Sequence, residues 1–529
     1  MPDLLLDLSY HEQINEKFYF WDGLGVNQPD EIKDACDLSK LRGHWSAILL
    51  SDNEVKLCAD AFRSRPLYYA LSATEILVTD DWFKAIEYVG YTLDEAAYEQ
   101  LAMAGFVFGE ATCAKGIWQV PSGQTVSINL DTCEVSHSFA RTPLFVKEKE
   151  QSSAQFITAL DKVFNTVMKR AVDSCPPNSK ILLPLSGGYD SRLLAAWFAK
   201  NYNGPILTFS YGKPGSRELE ISKQVAQSLN LPWRGIEMTP HEVHKEWGKP
   251  QTAQFLREAF SGFSLPHVQD WYALTILSKQ GLCKPGDTVF PGHTIVDNFH
   301  NLELLDSEPI KARDVAAAIF HKHCVMRPRI HTDKGELALK VYLHDFLSEV
   351  GFEGTARSVQ RCIEGFNFCE RQTKYINNSM RAYEHFGLRW AVPMLDVEFT
   401  ETWLSAPLGL TIKRGTYERW IDSFFASLTH ASPAVYQGIA HRLPPNLRRG
   451  LKKVAATARI DKLATRTVQA RTCLNHPLGF ELFSGKLSRP ELTMLYLFGQ
   501  PGNGPWVDQF IKDTWHPDLQ LFTPLEDAD

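Results

Sequence analysis

The run Leu183-Pro-Leu-Ser-Gly-Gly-Tyr-Asp-Ser191 constrains the fold more than any other part of the chain. Residues 181–185 form a short apolar stretch suited to a buried parallel strand. Ser186, Gly187 and Gly188 supply a tight turn poor in side chains. From Ser191 onward, Leu193, Leu194, Ala196 and Trp197 recur on the inner face of a helix. A strand, a glycine turn and a helix in that order aim backbone N–H groups and a helix N-terminus at one spot, which makes an anion site. The hydroxyls of Ser186 and Ser191 add donors there, and Asp190 is placed to hold a Mg²⁺ that bridges phosphates.

No Gly-Lys-Ser/Thr follows the glycines, so this is not a Walker loop. The hexapeptide Ser186 to Ser191 resembles the Ser-Gly-Gly-x-Asp-Ser signature of pyrophosphatase-type ATP loops, which serve enzymes that adenylate a substrate and expel pyrophosphate. That resemblance implies ATP and Mg²⁺ as the cofactors. Leu185, Ser186, Gly187, Gly188, Asp190 and Ser191 would surround the nucleotide, with Asp190 on the metal.

At 529 residues the chain has room for two to four domains, and 44% hydrophobic content suffices for ordinary cores. A net charge of −7 argues against a general nucleic-acid binder. Met1 is not followed by a charged-then-apolar leader, and no apolar run is long enough to span a bilayer, so a cytoplasmic protein is expected. The ten cysteines are scattered without a Cys-x-x-Cys pair, and read as free thiols in a reducing compartment.

The stretch 142–153 turns from proline and apolar residues to charge and serine just before an amphipathic pattern over 156–172. It divides the chain into residues 1–145 and 150–529. Before it, short strands are predicted at 45–50, 55–59, 76–79 and 125–129, which gives a sheet-rich first domain. After it, strands at 181–185, 206–210 and 288–290 alternate with helices, one of them from Glu218. That order predicts an α/β fold with a doubly wound parallel sheet and ligands at the carboxyl ends of its strands. From about residue 345 the chain reads as mostly helical.

Several motifs in order make the second half similar to the asparagine synthetases and their relatives. Ser210-Tyr-Gly-Lys-Pro-Gly-Ser-Arg-Glu-Leu219 resembles the family's Ser-x-Gly-x-Pro-Gly-Ser-x-Asp-Leu segment, with Glu218 for its acid, and implies Ser210 and Gly212 beside the adenosine. Pro291-Gly-His-Thr-Ile-Val-Asp-Asn298 stands where the family has a Gly-rich loop with a second Mg²⁺ carboxylate, which implies Gly292 at the nucleotide and Asp297 on the metal. The segment carries one extra residue between Gly292 and Asp297, and Asn298 replaces an acid. Glu370 to Arg381, then Arg389-Trp-Ala-Val-Pro-Met-Leu-Asp396, resemble the family's Arg-containing helix and following loop. They imply active-site walls that include Arg371, with Glu384 and Asp396 as candidates to deprotonate an amine.

The first domain is similar to the same family's glutaminase domain, an N-terminal-nucleophile αββα sandwich. The likeness rests on residues 43–50, on Ala59-Asp-Ala-Phe-Arg-Ser-Arg-Pro-Leu-Tyr-Tyr69, on Phe106 to Thr112 and on Gln119-Val-Pro-Ser-Gly123. A working glutaminase of the family exposes cysteine after Met removal and uses its own α-amine as base. Here position 2 is proline, and Cys36 is internal. Glutamine hydrolysis is therefore not expected, and the domain reads as a structural relic or substrate platform.

The resemblance implies an ATP-dependent carbon–nitrogen ligase, AMP-forming, that joins a small-molecule or peptide carboxylate to an amine or ammonia. Relatives make asparagine, close β-lactam rings, cyclise lasso peptides or amidate sugar acids of bacterial surface polysaccharides. The last three, ammonia-fed asparagine formation and a silent scaffold all remain open, as does a homodimer. His321-Lys-His-Cys324, and His241 with His244, read as ordinary helix and surface residues rather than metal ligands. The basic stretch 442–471, with Arg448, Arg449, Lys452 and Lys453 at its centre, reads as a solvated helix or a phosphate contact.

Overall fold

The structure is a computed structural model that describes residues 2–26, 38–296, 302–305, 308–326, 333–429, 461–474, 483, 487–500, 502 and 504–509. Its first part contains ten strands in two sheets. They are β1 (Asp3–Asp7), β2 (Glu12–Asn15), β3 (Phe18–Asp22), β4 (Trp45–Leu50), β5 (Glu54–Ala59), β6 (Tyr68–Leu71), β7 (Glu75–Thr79), β8 (Trp118–Gln119), β9 (Gln124–Asn129) and β10 (Val135–Phe139). One sheet runs β1-β7-β6-β8, and the other β10-β9-β5-β4-β3-β2. Ile48, Val55 and Leu57 of the larger sheet pack with Tyr69, Ile76 and Val78 of the smaller one, so alternate residues of both sheets make the core between them. Helices α1 (Trp82–Val89) and α2 (Glu95–Ala104) cover the other face of the smaller sheet through Trp82, Phe83 and Leu101.

The connection between β1 and β2 is fastened across both sheets. Asp80 accepts backbone N–H bonds from Ser9, Tyr10 and His11 and the ring Nδ1–H of His11 at 2.8 Å, while His11 Nε2 lies 2.7 Å from Ser46 Oγ. Ser46 is fully buried in β4, so this serine–histidine–aspartate chain is a tie between layers and offers no open nucleophile.

A capping box at Ser152 and Gln155 starts the long helix α3 (Ser153–Asp173), as the amphipathic pattern predicts. The second sheet follows: β11 (Ile181–Pro184), β12 (Ile206–Gly212), β13 (Trp233–Glu237), β14 (Thr288–Val289) and β15 (Arg389–Trp390), in the order β13-β12-β11-β14-β15 and parallel throughout. Ile181, Leu182 and Leu183 have no exposure because helices cover both faces, which is why this strand reads as a continuous apolar run. Helices α4 (Tyr189–Asn201) and α5 (Arg217–Ser228) follow β11 and β12. The chain leaves β11 toward β12 and β13 on one side, and β14 and β15 lie on the other. The strand order therefore reverses between β11 and β14, where an open α/β sheet has its ligand crevice. Among the described residues no helix is long and apolar enough to cross a membrane. None of the nine described cysteines is in a disulfide.

One buried core is continuous across the stretch 142–153, from Trp82 and Leu101 through Leu182 to Trp403. Polar contacts cross it too. His44 Nε2 accepts the Val392 backbone N–H at 3.2 Å, while Nδ1–H donates to Ser64 Oγ at 2.9 Å. Burial first, and then the charge of Arg170, hold His44 at about 3, so it is neutral in the fold. His267 is likewise held at about 3, mainly by burial. A free histidine titrates near 6.5, so the unfolded chain takes up protons that the fold refuses. Stability is full above that value and falls as pH drops toward the folded values. At pH 5 the two sites together should cost about 4 kcal/mol. Urea unfolding at pH 7 and pH 5 measures this. His44→Gln, which can keep both bonds without titrating, should reduce the difference by about 2 kcal/mol, and an unchanged pH slope in that variant would refute the assignment.

Candidate functional site

The loop between β11 and α4 sits at the reversal point. Leu185 N donates to Phe209 O at 2.7 Å, which places Leu185 beside the carboxyl end of β12, where Ser210 is buried and Gly212 closes the strand. Gly188 caps α4. On the other side of the crevice, a Cβ at Gly292 would meet Ser191 N at 3.0 Å and Ser191 Cα at 3.2 Å, so a side chain there would press the segment after β14 away from the helix start. The structure thus brings together Leu185, Ser186, Gly187, Gly188, Asp190, Ser191 and Gly292, with Ser210 and Gly212 on the neighbouring strand.

Each of the first three turn amides has a partner within the protein. Ser186 N donates to Ser191 Oγ at 3.0 Å, Gly188 N to Ser186 Oγ at 3.1 Å, and Gly187 N to Glu218 Oε1 at 2.9 Å. The carboxylate on the Gly187 amide is itself an anion on the anion site, and it comes from the acid that replaces aspartate in the second motif. Beneath the turn, the fully buried Arg192 donates to Gly187 O at 3.3 Å and faces Asp422 at 3.5 Å.

Asp190 is half-buried at the head of α4. Its Oδ1 accepts from Tyr417 Oη at 2.8 Å and from Arg414 Nη2 at 3.0 Å. Burial raises its carboxyl above the usual range, and Arg414 and Tyr417 pull the other way. Asp190 is a fitting Mg²⁺ ligand by chemistry and place, at the helix start and beside the phosphate turn. Among the described residues no group of three or more acidic, histidine or cysteine side chains could hold a metal. Mg²⁺ at a nucleotide is ordinarily held by one or two carboxylates, with phosphate oxygens and waters completing the shell. Asp297 and Asn298 lie outside the described residues, as do Cys36, Arg448, Arg449, Lys452 and Lys453.

Arg371 is half-buried. It lies on a π-helix, Asn367–Ile376, and its charge acts on His267, His293 and His323. His293 follows Gly292. Ser379 Oγ donates to Ile376 O at 2.7 Å and stands 3.3 Å from His293 Nε2. The serine proton is thereby committed, so Nε2–H donates to Ser379 and Nδ1 is the basic nitrogen. Burial, followed by Arg371, holds His293 at about 4.

Two of the expected residues are not part of this group. Glu384 is fixed by Arg65 at 2.8 Å, by Arg381 at 2.9 Å and by Trp390 Nε1 at 3.0 Å. Burial would raise it, but the two guanidiniums outweigh burial and hold it below the usual range. A carboxylate so engaged joins the halves of the molecule and is no base for an incoming amine. Asp396 accepts from Arg170 at 2.7 Å and caps the helix Val397–Leu404 through the Glu398 N–H at 2.9 Å, which likewise makes it structural. Conversely, Arg414, Tyr417 and His293 join the site although no spacing marks them. Arg414 and Tyr417 stand 224 and 227 residues from Asp190. Of the remaining histidines, His241, His244 and His321 are exposed, while His323 is buried against Phe106 and Phe366.

The asparagine synthase family model matches residues 164–266. No curated protein matches the chain. Among solved structures, the NH3-dependent NAD synthetase of Campylobacter jejuni, in complex with nitrate, is 16% identical, with a TM-score of 0.21 over 40% of this chain and 96% of that one. The NMN synthetase of Francisella tularensis is 10% identical, with a TM-score of 0.20 over 42% of this chain and 97% of that one. At those scores neither likeness carries weight beside the geometry. The family match spans α3 from Phe164, β11, the turn at Ser186 to Ser191, β12, α5 and β13, and through this segment the chain is asparagine synthetase-like.

Proposed function

We propose that the chain is an ATP-dependent ligase that activates a carboxylate as its adenylate, releases pyrophosphate, and passes the acyl group to an amine or ammonia with loss of AMP. The observation that carries this reading is the Leu185 to Ser191 turn at the reversal point of a parallel sheet, closed from the far side by Gly292. Backbone N–H groups of the turn would take phosphate oxygens in place of Glu218 and the serine hydroxyls. Asp190, with Asp297 as a second candidate, would hold Mg²⁺, which offsets the charge that grows on pyrophosphate as it departs. The charge of Arg371 acts on His293.

Accepting the amine proton falls to His293 in place of Glu384 and Asp396. It is a neutral imidazole one residue from Gly292, with its tautomer set by Ser379. Negative charge developing beside it would raise its basicity as the proton arrives. In this reading the first part of the chain serves as a platform for the second.

With MgATP, ammonia and a panel of amino acids and sugar acids, at least one carboxylate should give AMP and pyrophosphate in equal amounts. ADP and phosphate as products would overturn the reading. Glutamine should give no glutamate in the same assay, and glutamate formed in step with ATP use would make the first domain a working glutaminase.

A further inference from the structure

Asp190 carries more contacts than a metal ligand needs. Oδ1 is taken by both Arg414 and Tyr417. Tyr417 is fully buried and also reaches Met394 Sδ at 3.2 Å and the Thr294 side chain, so it is anchored on the far wall of the crevice. Arg414 is held differently. It lies in a short turn between the helices Leu408–Thr411 and Gly415–Thr429. There Lys413 and Arg414 have φ of 60° and 59°, two successive non-glycine residues in the left-handed region. L side chains enter that region reluctantly, and such strain persists only where the surroundings enforce it. At this turn the Arg414 guanidinium pairs with Asp190, with side-chain exposures of 17% and 22%, and lies 5.3 Å from the centre of the Tyr417 ring.

A Mg²⁺ on either Asp190 oxygen would sit about 2.1 Å from it, and so within roughly 5–6 Å of the guanidinium, inside the screening length of ordinary salt. Two cations at that separation in a half-buried crevice repel strongly. We propose that Arg414 and Mg²⁺ alternate on Asp190: the ion pair keeps the turn strained until the metal nucleotide displaces the guanidinium, whereupon the turn relaxes. This rests on the reading of the loop as the MgATP site, and it makes metal affinity adjustable through one side chain outside every motif.

Calorimetric titration of Mg²⁺, in the presence of a non-hydrolysable ATP analogue, tests it on the wild type, Arg414→Gln and Arg414→Lys. Arg414→Gln should lower the half-saturating Mg²⁺ concentration about tenfold, and Arg414→Lys should stay near the wild type. A half-saturation that is unchanged or raised in Arg414→Gln overturns the proposal, because the guanidinium would then only position Asp190 or bind phosphate. If Arg414→Gln does not fold, hydrogen exchange of the wild-type segment 412–417 decides the matter. Addition of Mg²⁺ and the analogue should speed its exchange, and slower or unaltered exchange overturns the proposal. A wild type that fails to bind the analogue with Mg²⁺ at all would remove the site reading itself, which separates the two failures.

Discussion

Asparagine at position 190 is expected to lower ATP-dependent turnover by on the order of a thousandfold, equivalent to about 4 kcal/mol of transition-state stabilisation. The substitution keeps the shape of the side chain and removes only its charge. Asparagine Oδ1 can still accept the Tyr417 hydroxyl that Asp190 accepts at 2.8 Å, so the link between α4 and the helix Gly415–Thr429 should survive. Arg414 loses its counter-charge, which should cost about 1–3 kcal/mol of stability, well short of unfolding. The two effects are separable because the charge serves the metal while the shape serves the packing. Nucleotide affinity should fall far less than turnover, since the charge on departing pyrophosphate develops mainly in the transition state. Steady-state kinetics beside a thermal melt provides the check. Turnover within a few-fold of the wild type, in a folded variant, would mean that the phosphate chemistry lies elsewhere.

The residues that proved legible in the sequence are those whose structure is local. Strand 181–185, the Gly187–Gly188 turn and the helix after it are dictated by a dozen consecutive residues, and the family motifs at Ser210 and Gly292 are equally short. The residues that proved illegible are those whose role is assigned by distant partners. Glu384 lies in a helix that borders the site, yet the guanidiniums of Arg381 and of Arg65, the latter 319 residues away, together hold its carboxyl below the usual range. Asp396 resembles a loop carboxylate until Arg170 and the Glu398 amide are placed around it. Arg414 has no motif at all. The shortest strands, β8, β14 and β15, have two residues each, and alternation over two residues carries little signal, although the apolar run at 288–290 does find β14. The third motif block reads as a helix and is one. Nothing in its composition, however, announces the wider winding of Asn367–Ile376, from which Lys374 reaches the first domain.

Lys374 supplies the other large expected effect, and it bears on what the first domain is for. Its ammonium group is buried with 1% exposure and donates to Val107 O at 2.9 Å, to Gly109 O at 2.7 Å and to Glu370 Oε2 at 2.7 Å. Glu370 also accepts from Tyr342 at 2.7 Å and from the Gly109 amide at 3.3 Å. The segment Phe106 to Gly109 of the first domain is thus bolted to the π-helix that carries Arg371. Lys374→Met should destabilise the protein by about 3–5 kcal/mol, because it strands a buried carboxylate and two carbonyl groups at once. Adding Glu370→Gln should recover more than half of that loss, since the second change removes the uncompensated charge. A double-mutant cycle in denaturant measures this coupling directly. The ATP loop is untouched by either change, so nucleotide binding should persist in the single variant while amide formation drops as Arg371 shifts. That pattern is what a structural platform predicts: the π-helix is built against the first domain and depends on it for its place. A loss below about 1 kcal/mol, with turnover intact, would mean that the two halves are merely neighbours and that the retained domain needs another explanation.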